Sequence, residues 1–300
     1  RLTPGGCTVD GLRAAVAIRI TRASPHLVGP VRAARVACTG ANVRRVASDL
    51  DLTLSPALDR WQGTADLATG ALAMSGAMSG AGSGAGSGIA ASGVSGTVRF
   101  GGTAAATTGS LDLATRSVRA DAGQAARLVA RGDYRVGASM GFDGQVGMDH
   151  AALSPRLIAR LAAIGGGSGT PVAPLIAALR QALTAGARDW SGTAGLTVHR
   201  ADGRFAARVA DLSARTASGA SVTLSGGSGL AYGSPGGIRI DTDVAIRGGG
   251  LPTARIALRQ PRAGAPISGR ATIAPYAAGG AELALTPVTF GATAAGLTRI

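Results

Sequence analysis

The stretch SDLDLTLS, residues 48–55, alternates strictly between polar and leucine side chains. Leu50, Leu52 and Leu54 occupy every second position, with aspartate or threonine between them. Successive side chains of a β-strand point to opposite faces of a sheet, so this period puts the leucines on one face and the polar side chains on the other. The stretch therefore predicts a strand with one apolar and one polar face.

The same alternation recurs in both directions along the chain, for example in LRAAVAIRIT at 12–21 and GIRIDTDVAIRG at 237–248. Glycine-containing turn signals separate the alternating runs at intervals of about ten residues, which is typical of an antiparallel meander. Three segments have the pattern of a hairpin: 198–209, with Asp202-Gly203 at the turn, 246–258 and 275–285. The fold class predicted is mainly β, a long antiparallel sheet.

One region departs from the two-residue period. At 154–187, Ser154-Pro155 and Thr170-Pro171 each fit a helix N-cap followed by proline at the first helical position. Apolar residues between Val172 and Leu183 recur at helical spacing and form one stripe. The pattern predicts an amphipathic helical insert that either covers an end of the sheet or lies on a membrane surface. Covering is favoured, because the polar side of the stripe carries little positive charge.

Residues 72–97 are rich in glycine, serine and alanine, which predicts a flexible loop. The alternation before and after this loop has the same period, so no domain boundary is expected there. WQGTADL from Trp61 and WSGTAGL from Trp190 form a short internal repeat, which predicts that both begin equivalent groups of strands. We expect residues 1–300 to be one continuous β segment of a longer chain.

The composition limits the classes of function. Apolar residues make up 46% of the chain, but only 3% is aromatic, and 48 residues are glycine, so any core must be thin and aliphatic. The net charge is +14, yet the arginines are spread singly, and few aromatic side chains are present to stack on bases. Nucleic acid is therefore not expected as a partner, whereas attraction to an anionic membrane surface needs no such geometry. Cys7 and Cys38 could form a disulfide or remain small buried thiols.

Several catalytic patterns fail on their context. GASMG at 137–141 matches a nucleophile elbow, and Ser139, Asp189 and His199 follow in the order of a hydrolase triad, but the next residues alternate like a strand rather than a helix. GGGSGTP at 165–171 has no lysine for a phosphate loop. His26, His150 and His199 lie too far apart in sequence for a readable zinc site. We expect no enzyme activity, cofactor or metal.

A long aliphatic face must be hidden from water. A packed sandwich or barrel core usually contains more large aromatics, so we expect the sheet to curl into an open groove that hydrocarbon from a ligand fills. Aliphatic side chains suit acyl chains because they contact them without directional groups. The residues predicted to line the groove are Leu50, Leu52, Leu54, Leu111, Leu113, Leu196, Val198, Ile238, Ile240, Val244, Ile246, Ile256 and Leu258.

The segment GGGLPTARIALRQPRAGAPISGRATIAPYAAGGAELALTPVTF, Gly248–Phe290, and GTPVAPLIAALRQAL at 169–183 carry a family resemblance. They resemble the YdbH branch of the AsmA-like bacterial envelope proteins, which is related to TamB and often called a dicarboxylate-transport domain. The likeness is best in the last hundred residues and the helical insert. It implies a bridge-like β-groove protein that crosses the periplasm from an inner-membrane anchor outside this chain and moves phospholipid towards the outer membrane.

The expected partners are therefore phospholipid acyl chains, the two membranes through parts outside this chain, and a small envelope protein. Dicarboxylate transport is not expected, because the arginines of the alternating strands fall opposite the apolar set. Two alternatives stay open. One is a structural secreted β protein such as an adhesin or an autotransporter passenger, although the chain has one asparagine and no repeat of fixed period. The other is an envelope assembly factor.

Overall fold

The computed structural model describes residues 7–75, 88–121, 123–155, 189–202, 204–234, 237–248, 253–262, 265–278, 281–284, 287–293 and 296–299. Strands make up 81% of the structure, which confirms the predicted mainly β class. The helical insert predicted at 154–187 lies almost entirely outside the described residues.

The chain forms two compact units. Unit 1 comprises residues 1–146 and 198–203, and unit 2 comprises 147–197 and 204–300. The sequence predicted one continuous segment. Both flanks of the glycine-rich stretch belong to unit 1, so the division does not fall there.

Unit 1 is built from antiparallel strands of very different lengths. They are β1 (Cys7–Asp10), β2 (Arg13–Ala14), β3 (Ala17–Thr21), β4 (Ser24–Cys38), β5 (Ala41–Leu54), β6 (Arg60–Ala68), β7 (Ala71–Ser75), β8 (Gly88–Ser92), β9 (Ser95–Thr103), β10 (Ala106–Thr115), β11 (Ser117–Ala120), β12 (Gly123–Ala125) and β13 (Arg127–Gly137).

The strands β14 (Ser139–Leu153) and β15 (Trp190–Ala201) contribute residues to both units. The remaining strands, all in unit 2, are β16 (Arg204–Thr216), β17 (Ser221–Ser234), β18 (Gly237–Arg247), β19 (Ala254–Gln260), β20 (Ile267–Ile273), β21 (Tyr276–Ala278), β22 (Ala281–Leu283), β23 (Val288–Thr293) and β24 (Gly296–Arg299).

In unit 1 the sheet branches at β5. The part of β5 at 47–54 pairs with β6, which leads to β9, β10 and β13. The part at 41–44 pairs with β7, which leads to β8, β11 and β12. With β14, which also pairs with β12, ten strands form a closed circuit, a barrel in its pairing. The predicted open groove is therefore wrong for this sheet.

The physical cause of the branching is a line of breaks across the strands, which we call the crease. It passes through Arg45, residues 69–70, Gly93 and Arg116. Arg45 and Gly93 have left-handed backbones, with φ of 53° and 57°, and a left-handed residue interrupts the regular pleat. The pairs β6 and β7, β8 and β9, and β10 and β11 are thereby successive segments that keep the same register on either side of the crease. The buried residues described in unit 1 lie beside the crease: Ala33, Thr69, Ala91, Val94 and Ala125.

The loop predicted at 72–97 is shorter in the structure. Residues 72–75 belong to β7, and residues 88–97 lie mostly in β8 and β9, so the loop prediction is wrong at both ends. Met74 pairs with Ile89 across β7 and β8. Backbone hydrogen bonds hold a ladder without large side chains, which is why this small-residue sequence still pairs. Residues 76–87 lie outside the described part.

Cys7 and Cys38, whose pairing the sequence left open, form a disulfide. They are register partners on β1 and β4, with Cα atoms 4.1 Å apart. The bond links the start of unit 1 to the end of its longest strand.

Unit 2 is an antiparallel meander from β16 to β20, followed by β23 and β24. The hairpins predicted at 246–258 and 275–285 are confirmed as the pairs β18–β19 and β21–β22. Asp202, at the turn of the hairpin predicted at 198–209, has φ of 50° and lies just after the end of β15. Ala254, Ala271 and Ile273 form a small buried core, with Ile256 packed against it.

Candidate functional site

The strand register of unit 1 gathers aliphatic and aromatic side chains on one face. Directly paired residues of antiparallel strands point to the same side of the sheet. One row across the strands joins Leu27, Leu52, Gly63, Phe100, Gly109 and Tyr134, and the next joins Leu50, Ala65, Val98, Leu111 and Gly132. We call these two rows the apolar face of unit 1.

Glycines make room for the aromatic side chains of this face. Phe100 is flanked in its row by Gly63 and Gly109. A Cβ atom on Gly109 would lie 1.8 Å from the carbonyl oxygen of Arg99, so only glycine fits this close approach of the strands. The Tyr134 hydroxyl donates a hydrogen bond of 3.3 Å to that same carbonyl, and partial burial raises the pKa of Tyr134. The phenol is therefore neutral at physiological pH.

The opposite face of unit 1 is polar. His26 Nε2 lies 2.8 Å from Asp51 Oδ1, and Arg131 Nε donates to Asp112 Oδ1 at 3.0 Å. The His26 side chain is 40% exposed and the other three are more than half exposed, so these contacts contribute little to stability. As the alternation predicted, the charges fall opposite the leucines. Any ligand on the apolar face therefore meets hydrocarbon rather than charge.

The apolar face is not sealed from water. Leu50, Leu52 and Leu111 are half-buried rather than buried. On β3, which pairs with β4 beside Leu27, the side chains of Ile18 and Ile20 are 63% and 68% exposed. Exposed aliphatic side chains that adjoin one another indicate a surface that gains free energy when covered.

Unit 2 repeats the arrangement with more burial. Val244 pairs with Ile256, and Ile246 pairs with Ala254, so that both pairs share one face with the buried core. Next to Val244 on the same face lies Thr242, which pairs with Leu258, is only 1% exposed, and donates its hydroxyl to the carbonyl of Ser225 at 3.3 Å. Hydrogen bonding of this kind makes a buried hydroxyl tolerable.

The predicted lining residues fall into separate groups. Leu50, Leu52, Leu54, Leu111 and Leu113 all lie on the apolar side of unit 1. Ile240, Val244, Ile246, Ile256 and Leu258 share the apolar face of unit 2, where Ile246 is buried.

The other three predicted residues lie on β15 and β18. Leu196 and Val198 are half-buried on β15, the first in unit 2 and the second in unit 1. Ile238 is placed only by its backbone register opposite Tyr232.

The prediction missed Leu27, Phe100 and Tyr134, which belong to the same face as the unit 1 leucines. The alternation of Val98 with Phe100 was a visible signal for Phe100. The alternation of Tyr134 and Val136 with Arg131, Asp133 and Arg135 was a signal for Tyr134 as well. For Leu27 only the strand register reveals the neighbours, because the residues around it do not alternate clearly.

The residues of the rejected hydrolase pattern take up other contacts. Asp189 Oδ1 lies 2.5 Å from Nδ1 of His150, a histidine outside the pattern. Ser139 and His199 belong to unit 1, whereas Asp189 belongs to unit 2.

Within the described ranges, no three His, Cys, Asp or Glu side chains are close enough to hold a metal ion. The described part of the chain contains no helix that is long and apolar enough to cross a membrane.

No known family model matches this chain, and neither a curated protein nor a solved structure matches it. The resemblance to the AsmA-like envelope proteins therefore stays a prediction.

Proposed function

We propose that this chain is a segment of a periplasmic conduit that carries phospholipid between the inner and outer membranes. The acyl chains lie on the apolar face of unit 1 and on the corresponding face of unit 2. The membranes are reached through parts outside this chain.

The observation that supports the proposal is the run of half-exposed aliphatic and aromatic side chains, with glycines between them, on the apolar face of unit 1. From β3 to β13 it crosses seven strands, or six steps of about 4.8 Å, which gives a length of roughly 29 Å. This length is comparable to the hydrocarbon thickness of a bilayer, about 30 Å. Covering half of one leucine side chain contributes about 1 kcal/mol, so a row of such contacts can hold an acyl chain.

The chemistry of the row favours passage over tight capture. Apolar contacts are not directional, so a lipid can shift by one strand and replace each contact by a similar one. The charged side chains next to the two rows, such as Asp51 and Asp112, sit on the opposite face and do not interrupt the path. The disulfide between Cys7 and Cys38 suits an oxidising compartment such as the periplasm.

A substitution experiment tests the proposal. Replacing Leu50, Leu52 and Leu111 together by Asp puts three charges on the path, because two of these residues share a strand and Leu111 lies in the row of Leu50. We expect the transfer of labelled phospholipid between donor and acceptor vesicles to fall at least about tenfold, since an acyl chain lying over the new carboxylates would remove them from water, and an unpaired charge buried in this way costs several kcal/mol.

The matched control places the same three charges on the other face of unit 1. Thr53, Thr64 and Thr108 lie on the polar side of β5, β6 and β10, so their replacement by Asp should leave transfer near the wild-type rate. Wild-type transfer by the leucine variant, or equal loss in the control, would contradict the proposal. Circular dichroism of both variants checks that they are folded.

A further inference from the structure

The polar face of unit 2 contains a half-open depression of about 490 Å³. Three arginines line it, Arg247 on β18, Arg255 on β19 and Arg270 on β20. The side chains of Thr223, Ser225 and Thr272 add hydroxyl groups to the same depression. It is therefore a concave site with several hydrogen-bond donors and a cluster of positive charge.

The register of the strands brings the three arginines together. Arg255 pairs directly with Ala245 on one side and with Thr272 on the other. Arg247 and Arg270 are each two residues from those partners, which makes both of them diagonal neighbours of Arg255. Diagonal neighbours are about 7–8 Å apart, a distance that long side chains bridge. The three guanidinium groups can therefore reach one small ligand between them.

The positive charge of this cluster is not neutralised within the described residues. Asp243 is the one carboxylate that lines the depression, and its Oδ1 accepts a hydrogen bond of 2.9 Å from Nη2 of Arg259. Arg259 also contacts Asp241 at 3.0 Å, so this fourth arginine is occupied by the nearby acids. In the described part of the chain, the side chains of Arg247, Arg255 and Arg270 have no ion pair. Three like charges held close together without a counterion repel one another, and a bound anion removes that cost.

We infer that this depression binds a phosphate group. A guanidinium offers paired N–H donors in a plane, which match phosphate oxygens, and arginine is favoured wherever phosphate is recognised in this way. The three hydroxyl groups supply further donors. Phosphate chemistry is shared by two sources, the head group of a phospholipid and free phosphate, and the experiment separates them. The three arginines lie on the face of unit 2 opposite to its own apolar face, so phosphate binding there does not depend on the acyl-chain path.

The test uses the full chain and a variant in which Arg247, Arg255 and Arg270 are all replaced by Gln. Calorimetric titration with inorganic phosphate reports binding of the free ion, and flotation with vesicles of phosphatidylglycerol or phosphatidylcholine reports binding of a head group. Ionic strength is held fixed, because salt screens exposed charges. Whichever probe the wild type binds, inorganic phosphate or the vesicles, we expect the Gln variant to bind it at least about tenfold more weakly.

The matched control replaces three scattered, exposed arginines of unit 1 by Gln, namely Arg19, Arg119 and Arg135. It changes the net charge equally, and we expect wild-type binding from it. Phosphate binding that is lost only in the depression variant assigns the site to free phosphate. Anionic-vesicle binding that is lost only there assigns it to a head group. No binding of either probe by the wild type, or equal loss in the control, overturns the inference.

The phosphate-binding experiment can succeed or fail independently of the proposed lipid conduit. Loss of phosphate binding in the Gln variant with unchanged vesicle-to-vesicle lipid transfer separates the two claims. The Leu50, Leu52 and Leu111 variant, in turn, should lose lipid transfer and keep phosphate binding at the arginine depression.

Discussion

The apolar faces of the two units are made in the same way and packed differently. In unit 1 the central leucines stay half-buried, and the buried residues of its described part, such as Ala33, Ala91 and Val94, lie beside the crease. In unit 2 the face ends in a buried core at Ala254, Ala271 and Ile273. Alternation therefore decides which side of a sheet is apolar, whereas the packing at each end decides whether that side is a core or a surface.

The largest expected loss of stability comes from a charge placed in the core of unit 2. Ile273 is 5% exposed, and Asp at this position buries a carboxylate among alanine side chains. We expect Ile273→Asp to lower the free energy of unfolding of unit 2 by about 3 kcal/mol or more. Hydrogen exchange of the β19 and β20 amides measures the loss directly.

The matched substitution is Leu52→Asp on the apolar face of unit 1, where the new carboxylate can reach water. Here we expect a loss of about 1 kcal/mol or less in the same measurement on β5 and β6. Equal destabilisation by both substitutions would contradict this difference in packing, because it would show that the unit 1 face is as closely packed as the core of unit 2.

A smaller effect concerns the polar face of unit 2. The backbone N–H of Ser228 donates to Asp241 at 2.9 Å, and this bond, with Arg259 nearby, holds the pKa of Asp241 below its usual range. Since the folded pKa is depressed, the ionised carboxylate stabilises the fold above the unfolded pKa of about 3.9, and that contribution is lost as pH falls through the folded value.

Asp241→Asn tests this effect, since it keeps the shape of the side chain and removes the charge. We expect the wild type to be the more stable protein above about pH 5. In denaturant unfolding followed against pH, the difference should begin to shrink below about pH 4 and disappear as pH falls below the folded pKa of Asp241. A constant difference at all these pH values would show that the charge of Asp241 makes no contribution.

The sequence predicted the strands and the two faces well because both depend on local alternation. Leu50, Leu52 and Leu54 are on the apolar side for the same reason that Asp49 and Asp51 are not. The hairpins at 246–258 and 275–285 were also predictable, since glycines mark their turns.

The crease and the closed circuit of strands could not be predicted in this way. They depend on Arg45, a residue type that rarely has a left-handed backbone, and on β5 pairing with two strands in turn. The arginine depression was missed for a related reason. Arg247, Arg255 and Arg270 are isolated in sequence and become neighbours only through the register of β18, β19 and β20.

The most direct test of the central claim is the phospholipid content of the chain itself. The protein, exported to the periplasm of a Gram-negative bacterium and purified without detergent, is analysed by quantitative lipid mass spectrometry. The proposal predicts phospholipid bound in about stoichiometric amounts to the wild type and to the Thr53, Thr64 and Thr108 control, and little on the Leu50, Leu52 and Leu111 variant. Wild-type protein free of phospholipid would contradict it.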